Sequence, residues 1–270
     1  MDYQTYLPQE DLAAFIKCYW TLSAPASSTE ERQRIVPDGC MEMIFHAGDL
    51  YRQYLPDATY IMQPRCFVFG QITQPLEIAA TGQTKIFAVR FHPEGFLPFI
   101  NMLIREMDNK AISLERLFGD KAAAFGEAVC TAKEVEEQIS LVENFLLQQL
   151  QNQETSDRIA ASSVQTLLAL KGQLSVDELA GQLQVHRRQL ERKFATVIGL
   201  SPKQLAKIIR LQATLKMMGE GQYDNLTELA YENGYFDQAH FIKDFKEFTG
   251  VTPGEFYADQ LKMSHLFSGS

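Results

Sequence analysis

The C-terminal part of the chain repeats one pattern, and this repeat constrains the fold more than any other feature of the sequence. Both copies open with a residue that caps helices and place a glutamate three positions later, Ser175 with Glu178 and Asn225 with Glu228. At this spacing the capping oxygen and the carboxylate can each accept from a free backbone N–H of the first helical turn. Leu-Ala, a short turn and a second helical segment follow in both copies, so the sequence predicts two helix pairs.

The second helix of each pair is predicted to have an apolar back and a polar front. Leu190 and Phe194 stand four residues apart in the first copy, and Phe241 and Phe245 do so in the second, which puts each couple on one helix face. Long polar side chains occupy the opposite faces. Two short helices joined by a tight turn, the second with a hydrogen-bonding front, are typical of helix-turn-helix motifs. Two copies joined by one longer helix are stronger evidence than a single copy.

Further residues accompany the two helix pairs in a fixed order over roughly the last hundred residues of the sequence. They are Leu190, Arg192, Phe194, Gly199-Leu200-Ser201-Pro202, Arg210-Leu211-Gln212-Ala213, Leu229-Ala230, Gly234-Tyr235, His240-Phe241, Phe245-Lys246 and Gly250-Val251-Thr252-Pro253. At these positions the chain resembles transcription regulators of the AraC/XylS family. The resemblance implies a sequence-specific DNA-binding regulator with an all-α domain, in which a linker helix joins two helix-turn-helix motifs.

The DNA-binding surface is expected on the polar front of the second helix in each pair. The predicted contacts are Arg187, Arg188, Glu191 and Arg192 in the first copy and Gln238, Ala239, His240, Lys243 and Lys246 in the second. Arginine can bond to the edge of guanine, a carboxylate can accept from cytosine, glutamine can pair with adenine, and alanine can meet the thymine methyl. His240 and Lys246 are expected to contact phosphate or to support this surface. For Glu191, an ion pair with Arg187 or Arg188 is the alternative.

Two such helices on one chain should span two successive major grooves, about 34 Å apart, so that a single chain reads an asymmetric site. The charge of the chain is unevenly distributed around this surface. Of the formal net charge of −9, all of the excess acid lies in the first 154 residues, with 12 Lys+Arg and 21 Asp+Glu, and the rest is neutral. The predicted DNA-facing helices are locally basic, and local placement decides whether phosphate is attracted. We therefore expect specific DNA binding with modest non-specific affinity.

The sequence predicts an α+β chain of two domains. A small N-terminal barrel- or sandwich-like β domain with helices is expected over residues 1–152, and the all-α domain over residues 156–262, with a polar linker at 148–157. Further helices are predicted over residues 11–19, near 93–103, and over about 133–151. The resemblance implies that the last of these can pack two chains together. The alternative is that it closes over its own β domain.

A ligand pocket inside the first domain is one prediction for its role. Trp20, Phe45 and Phe69 are expected to line this pocket, and Arg90 to hold an anionic group of a small-molecule effector. The alternative is an ordinary core, which alternating aromatic residues on strands also form. The domain resembles the sensing domains of AraC-like regulators through Pro37-Asp38-Gly39-Cys40 and Val89-Arg90-Phe91-His92-Pro93. The cysteines and histidines lack metal-ligand spacing, so no metal, cofactor or catalytic residue is predicted.

The predicted partners are double-stranded DNA, bound in the major groove of a promoter or operator, RNA polymerase, a small-molecule effector and a second copy in a homodimer. No apolar run is long enough to span a bilayer and no signal peptide is visible, so a cytoplasmic protein without a membrane partner is expected. Two alternatives remain for the first domain.

In the first alternative, the domain is a protein-interaction module without a small ligand. In the second, it is an enzyme domain brought to DNA by the helix-turn-helix tail, as in alkyl-transfer repair proteins. Such chemistry needs an activated cysteine beside a histidine. No cysteine of this chain has a histidine as its sequence neighbour, so the protein is not expected to be an enzyme.

Overall fold

The structure is a computed structural model that describes residues 1–150, 157–221 and 223–258. The strands in these residues are β1 (Asp2–Tyr6), β2 (Ile16–Ala24), β3 (Gln33–Ile35), β4 (Glu42–His46), β5 (Tyr51–Tyr54), β6 (Tyr60–Met62), β7 (Cys66–Phe69), β8 (Leu76–Ala80), β9 (Thr84–Phe91) and β10 (Ala111–Ser113). The helices are α1 (Leu114–Phe118), α2 (Lys121–Thr131), α3 (Val135–Gln149), α4 (Arg158–Ala169), α5 (Val176–Gln182), α6 (Arg187–Val197), α7 (Pro202–Glu220), α8 (Leu226–Glu232), α9 (Gln238–Thr249) and α10 (Pro253–Ala258). Short 3-10 turns cover Glu10–Leu12, Leu97–Phe99 and Ile104–Met107.

Two antiparallel sheets form the β-rich first domain. Six strands follow the order β1-β2-β9-β4-β7-β10, and four follow the order β3-β8-β5-β6. Along β9, Ile86 and Ala88 enter the core between the sheets, whereas Phe87, Val89 and Phe91 enter the core beneath the helices. The six-stranded sheet is therefore buried on both faces, by the smaller sheet on one side and by helices on the other. This arrangement confirms the predicted fold class of a sandwich-like β domain followed by a helical domain.

Two predicted helices of the first domain are wrong. Residues 11–19 enter strand β2 at Ile16, after only a 3-10 turn, because β2 pairs with β1 on one side and with β9 on the other. Residues 93–103 contain only the turn Leu97–Phe99. Pro98 explains this second difference, since proline has no N–H and its ring clashes with the carbonyl four residues earlier in a helix. Strand β1 is an addition to the predicted elements.

Helix α3 closes over its own domain. Val142 and Leu146 on α3 are fully buried in the same core as Phe87 and Val89 of the large sheet. Of the two alternatives for this amphipathic helix, the structure thus places the apolar stripe against the β domain of the same chain. The predicted linker overlaps the end of α3, and residues 151–156 within it lie outside the described residues, as does the predicted domain end at residue 262.

Helix α7 is the axis of the second domain. It begins with a capping box between Ser201 and Gln204 and ends at Gly221, whose φ of +65° is in the left-handed region. Its buried side chains pack with those of α4, α5, α6, α8 and α9 in one core. Arg210 of α7 also donates to two backbone carbonyls, at 2.9 Å to Gly172 just before the first pair and at 3.4 Å to Gly234 in the turn of the second pair. These contacts hold the two helix pairs on one scaffold.

The turn between β3 and β4 packs against α7. Gln212 Nε2 donates to the Pro37 carbonyl at 2.7 Å, and Val36 is buried in the core of the helical domain. Gly39 lies against Leu205, since a Cβ at Gly39 would come within 2.7 Å of Leu205 Cδ1. The two domains are therefore in direct contact along the helix that carries both helix pairs.

Candidate DNA interface

The first helix of each pair begins at the residue that the sequence predicts. The Ser175 hydroxyl accepts from the Glu178 backbone N–H at 3.2 Å, and the Glu178 carboxylate accepts from the Ser175 N–H at 2.8 Å, so the capping box of α5 is complete. The Asn225 side chain accepts from the Glu228 N–H at 3.0 Å. The Glu228 carboxylate turns to the Asp224 N–H at 3.1 Å instead, so α8 has only half of the predicted box.

The turn inside each pair has the same backbone geometry. Gln184 in the first copy and Gly234 in the second hold left-handed conformations, with φ of +54° and +69°. In both turns the next residue donates its backbone N–H to the carbonyl of the alanine five residues earlier. Val185 donates to Ala180 and Tyr235 donates to Ala230, each at 3.0 Å. The two pairs are therefore structural repeats as well as sequence repeats, and each turn directs the second helix in the same way relative to the first.

The second helices bury the predicted apolar faces. Leu190 and Phe194 on α6 are fully buried, as are Phe241 and Phe245 on α9. These side chains join the core around α7. Their burial leaves the opposite face of each helix to solvent, which is the orientation that a helix needs to enter a major groove.

The front of α6 carries two free cations and one ion-paired group. Arg188 and Arg192 are exposed, and neither forms an ion pair with another described residue. Arg187 instead lies 2.9 Å from the Glu191 carboxylate and 3.2 Å from the Asp177 carboxylate. The hydrogen bond that Arg187 donates to the Glu191 carboxylate and the charge of Asp177 raise the pKa of Arg187 above its usual range. The pair between Glu191 and Arg187 is the alternative that the sequence left open.

The front of α9 presents polar and cationic groups. Gln238, Ala239, Lys243 and Lys246 are exposed, and Gln238 Oε1 accepts from the Thr227 hydroxyl of α8 at 3.2 Å. His240 Nε2 lies 3.5 Å from a carboxylate oxygen of Asp244, whose other oxygen is 3.0 Å from Lys207 Nζ on α7. His240 therefore lies beside the ion pair between Asp244 and Lys207 that ties α9 to α7, while the other predicted residues of α9 are exposed.

An exposed aromatic side chain next to α9 is absent from the predicted contacts. Phe236 directly precedes Asp237, the N-cap of α9, and is 83% exposed. A large apolar residue before an N-cap often packs back onto the helix, but this exposure shows that Phe236 does not. The sequence could have indicated this residue only through its position, just before the second predicted DNA-facing helix. Because the ring is exposed there, it can contact a binding partner of the protein.

The predicted effector residues of the first domain separate into two places. Trp20 and Phe69 line a cavity of about 40 Å³ between the two sheets, together with His46 and other residues. Phe45 lies on the other face of the six-stranded sheet, in the core beneath the helices. There its ring packs edge-on against Phe125, with 5.7 Å between the ring centroids. A water molecule needs about 10–15 Å³ by this measure, so the cavity has room for a few waters. A larger ligand would require the sheets to move apart.

Arg90 is held by two carboxylates of its own domain. Its Nε lies 2.8 Å from the Glu42 carboxylate and 3.6 Å from that of Asp38. Burial by itself lowers the pKa of Arg90, but the two carboxylates raise it well above its usual range. Asp38 belongs to the turn that packs on α7, so Arg90 joins the sheet interior to this turn. Its charge is balanced inside the protein, which weakens the prediction that it holds an anionic ligand.

Within the described part of the chain, no group of three or more His, Cys, Asp or Glu side chains is placed to hold a metal ion. In residues 1–150, 157–221 and 223–258, no helix has both the length and the apolarity needed to cross a lipid bilayer.

Two helix pairs with buried backs and polar fronts, carried by one connecting helix, define a tandem helix-turn-helix domain of the kind that binds the major groove. The family model described as "Helix-turn-helix domain" matches residues 179–259. A second family model, "Domain of unknown function (DUF6597)", matches residues 4–113. The helical part of the chain thus contains an AraC-type helix-turn-helix domain, which it shares with proteins named HTH-type transcriptional regulators.

Two HTH-type transcriptional regulators are similar to part of the chain. The HTH-type transcriptional regulator MtrA of Neisseria gonorrhoeae is 32% identical over 82 residues, which are 30% of this chain and 27% of that protein. An uncharacterized HTH-type transcriptional regulator of Haemophilus influenzae is 28% identical over 119 residues, 44% of this chain and 38% of that protein. The chain thus spans less than two fifths of the length of either relative. The solved structure of ToxT from Vibrio cholerae aligns with a TM-score of 0.49 and 14% identity, covering 89% of this chain and 98% of that chain.

Proposed function

We propose that the chain regulates transcription by binding one specific DNA sequence with α6 and α9, which enter two successive major grooves. The observation that carries this proposal is that both helices bury an apolar back, expose a polar front and are held by α7. Helix α7 has 19 residues, which corresponds to an axis of about 28 Å at 1.5 Å per residue. This length is comparable with the separation of about 34 Å between successive grooves.

The residues of the two fronts divide the work of binding by their chemistry. Arg188 and Arg192 are the proposed guanine contacts of α6, because both are exposed and unpaired with any described carboxylate. Glu191 keeps a carboxylate oxygen for a cytosine amino group beside its pair with Arg187. On α9, Gln238 and Ala239 suit an A·T pair, Lys243 suits the edge of guanine, and Lys246 and His240 suit phosphate. Phe236 adds an apolar surface for a thymine methyl group or a deoxyribose.

The proposal is tested by selecting bound duplexes from a pool of random DNA with the full-length protein. We expect two blocks of preferred bases, about one helical turn of 10–10.5 base pairs apart. A variant with Arg188→Ala and Arg192→Ala should lose preference in one block only, and a variant with Gln238→Ala and Lys243→Ala in the other. Inserting half a turn of DNA between the blocks should abolish specific binding. A single block, or both variants relaxing the same block, would contradict the proposal.

The first domain is proposed to sense a small-molecule effector or to pair two copies of the chain. A cavity between its sheets, lined by Trp20, Glu42, His46 and Gln63 among others, supports the first role. Its β3–β4 turn contacts α7. This contact supports the proposal that effector binding or pairing of two chains changes the position of the DNA-binding helices. We further propose a promoter as the DNA partner, RNA polymerase as the protein partner and the cytoplasm as the location, with no catalytic role.

A thermal-shift screen of the full-length protein against classes of metabolites, combined with sedimentation, tests the two roles of the first domain. Stabilisation by one class of metabolite supports effector sensing. Dimers without stabilisation support pairing or a protein-interaction module. A monomer that no metabolite class stabilises contradicts both roles while leaving the DNA-binding proposal to its own test.

A further inference from the structure

Two cysteines of the first domain lie together although 64 positions separate them in the sequence. The sulfur of Cys66, at the start of β7, is 3.5 Å from the sulfur of Cys130 on α2. Both side chains are partly exposed, so a small reagent can reach them. Cys18 and Cys40 have no such neighbour among the described residues. The chain therefore contains one close thiol pair together with two cysteines that can serve as internal controls.

Local packing places the two sulfurs in contact. A Cβ at Gly126 of α2 would come within 2.9 Å of the Cys66 sulfur, so α2 can approach β7 this closely because Gly126 has no side chain. Cys130 follows four residues later on the same helix face and meets the same sulfur. When Cys130 carries its proton, it can also donate to the His46 carbonyl, 3.8 Å away. The contact is thus built by a helix and a strand, not by a loop.

We propose that Cys66 and Cys130 form a modification site, at which a hydroperoxide converts the two thiols into an intramolecular disulfide. The Cys130 thiolate attacks one peroxide oxygen, the O–O bond breaks, and a first water molecule leaves as its sulfur becomes a sulfenic acid. The Cys66 sulfur then attacks the sulfenic sulfur, and the hydroxyl group leaves as a second water molecule. Two thiols and one hydrogen peroxide thus give one disulfide and two waters, with two electrons passing from sulfur to oxygen.

The electrostatic environment assigns the two roles. The hydrogen bond with Cys66 lowers the pKa of Cys130, and the guanidinium of Arg65 acts in the same direction. The same hydrogen bond, together with burial, raises the pKa of Cys66. Because the thiolate is the nucleophile, Cys130 attacks the peroxide and Cys66 resolves the sulfenic acid. The disulfide ties α2 to β7 beside His46, which lines the cavity between the sheets. This chemistry does not depend on DNA binding by α6 and α9.

Mass spectrometry of the full-length protein tests the proposal directly. The reduced protein is treated with hydrogen peroxide, denatured and alkylated. We expect two of the four cysteines to resist alkylation, a mass loss of two hydrogens, and one cross-linked peptide pair that contains Cys66 and Cys130. Dithiothreitol should restore alkylation of all four. If Cys66 and Cys130 both stay alkylatable, or if the linked peptides join two copies of the chain, the proposal is wrong.

Variants separate the roles and provide a matched control. The double variant Cys18→Ser, Cys40→Ser should form the same linked peptides at the same rate. The variant Cys66→Ser should stop at a sulfenic acid on Cys130, which dimedone traps, and Cys130→Ser should leave Cys66 nearly unreacted. Circular dichroism establishes that each variant is folded before oxidation. Dimedone labelling of Cys66 in place of Cys130 would overturn the assignment of roles.

Discussion

Arg192 stands exposed on the front of α6 without a described carboxylate as partner, whereas Arg187 on the same helix is held by Asp177 and Glu191. A free guanidinium can bond to guanine without first breaking an ion pair. We expect Arg192→Ala to weaken specific binding by about 1–3 kcal/mol. Fluorescence anisotropy with the selected duplex measures this change. Arg116→Ala, at an exposed arginine of the first domain, is the matched control, and equal affinities for the two variants would contradict the assignment.

Glu94 is a partly buried carboxylate, and one of its oxygens is buried without a hydrogen-bond partner among the described residues. Burial raises the pKa of Glu94 from 4.5 to about 7. The folded state therefore holds this proton more tightly than the unfolded state. The resulting stability is complete below pH 4.5 and is lost as the pH rises through about 7.

Removing the ionisable group of Glu94 should remove this pH dependence. We expect Glu94→Gln to stabilise the fold at pH 8 by up to about 3 kcal/mol, from the pKa shift at 1.36 kcal/mol per unit. At pH 4 the variant should unfold at nearly the same temperature as the unaltered protein. Thermal unfolding at the two pH values measures the difference, with Glu115→Gln at an exposed glutamate as the control. The same stabilisation at both pH values would show that burial of charge is not the cause.

At the scale of elements, the turns of the two helix pairs need the same left-handed residue. Gly234 fills this place in the second pair with φ of +69°, and a Cβ there would lie 3.0 Å from Gln173. We expect Gly234→Ala to destabilise the protein by about 1–2 kcal/mol, the cost of a left-handed non-glycine residue. Gly181→Ala, inside α5 where an added Cβ meets nothing within 4 Å, should stabilise by up to about 1 kcal/mol. Urea unfolding compares the two, and changes of the same sign would contradict the argument.

The helical elements could be predicted from the sequence because their signals are local. The caps at Ser175 and Ser201 and the glycine at 234 act within one or two turns of chain, and α5, α7 and the second turn follow them. The start of the large sheet could not be predicted in this way. Residues 11–19 have helical spacing, but β2 is decided by pairing with β9, where Tyr19 lies opposite Val89. Tertiary pairing outweighs local propensity in such a strand.

The candidate DNA interface was predictable in part for the same reason. The exposed face of α6 follows from the periodicity of Leu190 and Phe194, which are both buried. The ion pair between Arg187 and Asp177 joins two helices, and its geometry depends on how the turn orients them. The exposure of Phe236 depends likewise on what packs nearby. Periodicity therefore predicts which face is free, whereas the partners on that face require the tertiary structure.

At the scale of the whole molecule, the two domains meet through side chains as well as through the chain itself. Val36 is buried in the helical core, and Gln212 of α7 donates to the Pro37 carbonyl. Arg34 donates to the carbonyl of Thr249 at the end of α9, at 3.4 Å. Contacts of the first domain thus reach both the helix that connects the two pairs and α9, one of the two helices proposed to face DNA. We expect the domains to unfold together for this reason.

Two signals can follow the domains separately in one experiment. Trp20 is the only tryptophan of the sequence and is buried in the first domain, whereas circular dichroism at 222 nm follows mainly the helices. In the unaltered protein the two thermal transitions should coincide. Val36→Asp puts a charge into the helical core, at a cost of several kcal/mol. The midpoint temperature of unfolding followed by circular dichroism should then fall below the midpoint followed by Trp20 fluorescence. Ala26→Asp adds the same charge to an exposed loop and should keep the transitions together, so a split in this control, or none with Val36→Asp, would contradict coupling at this contact.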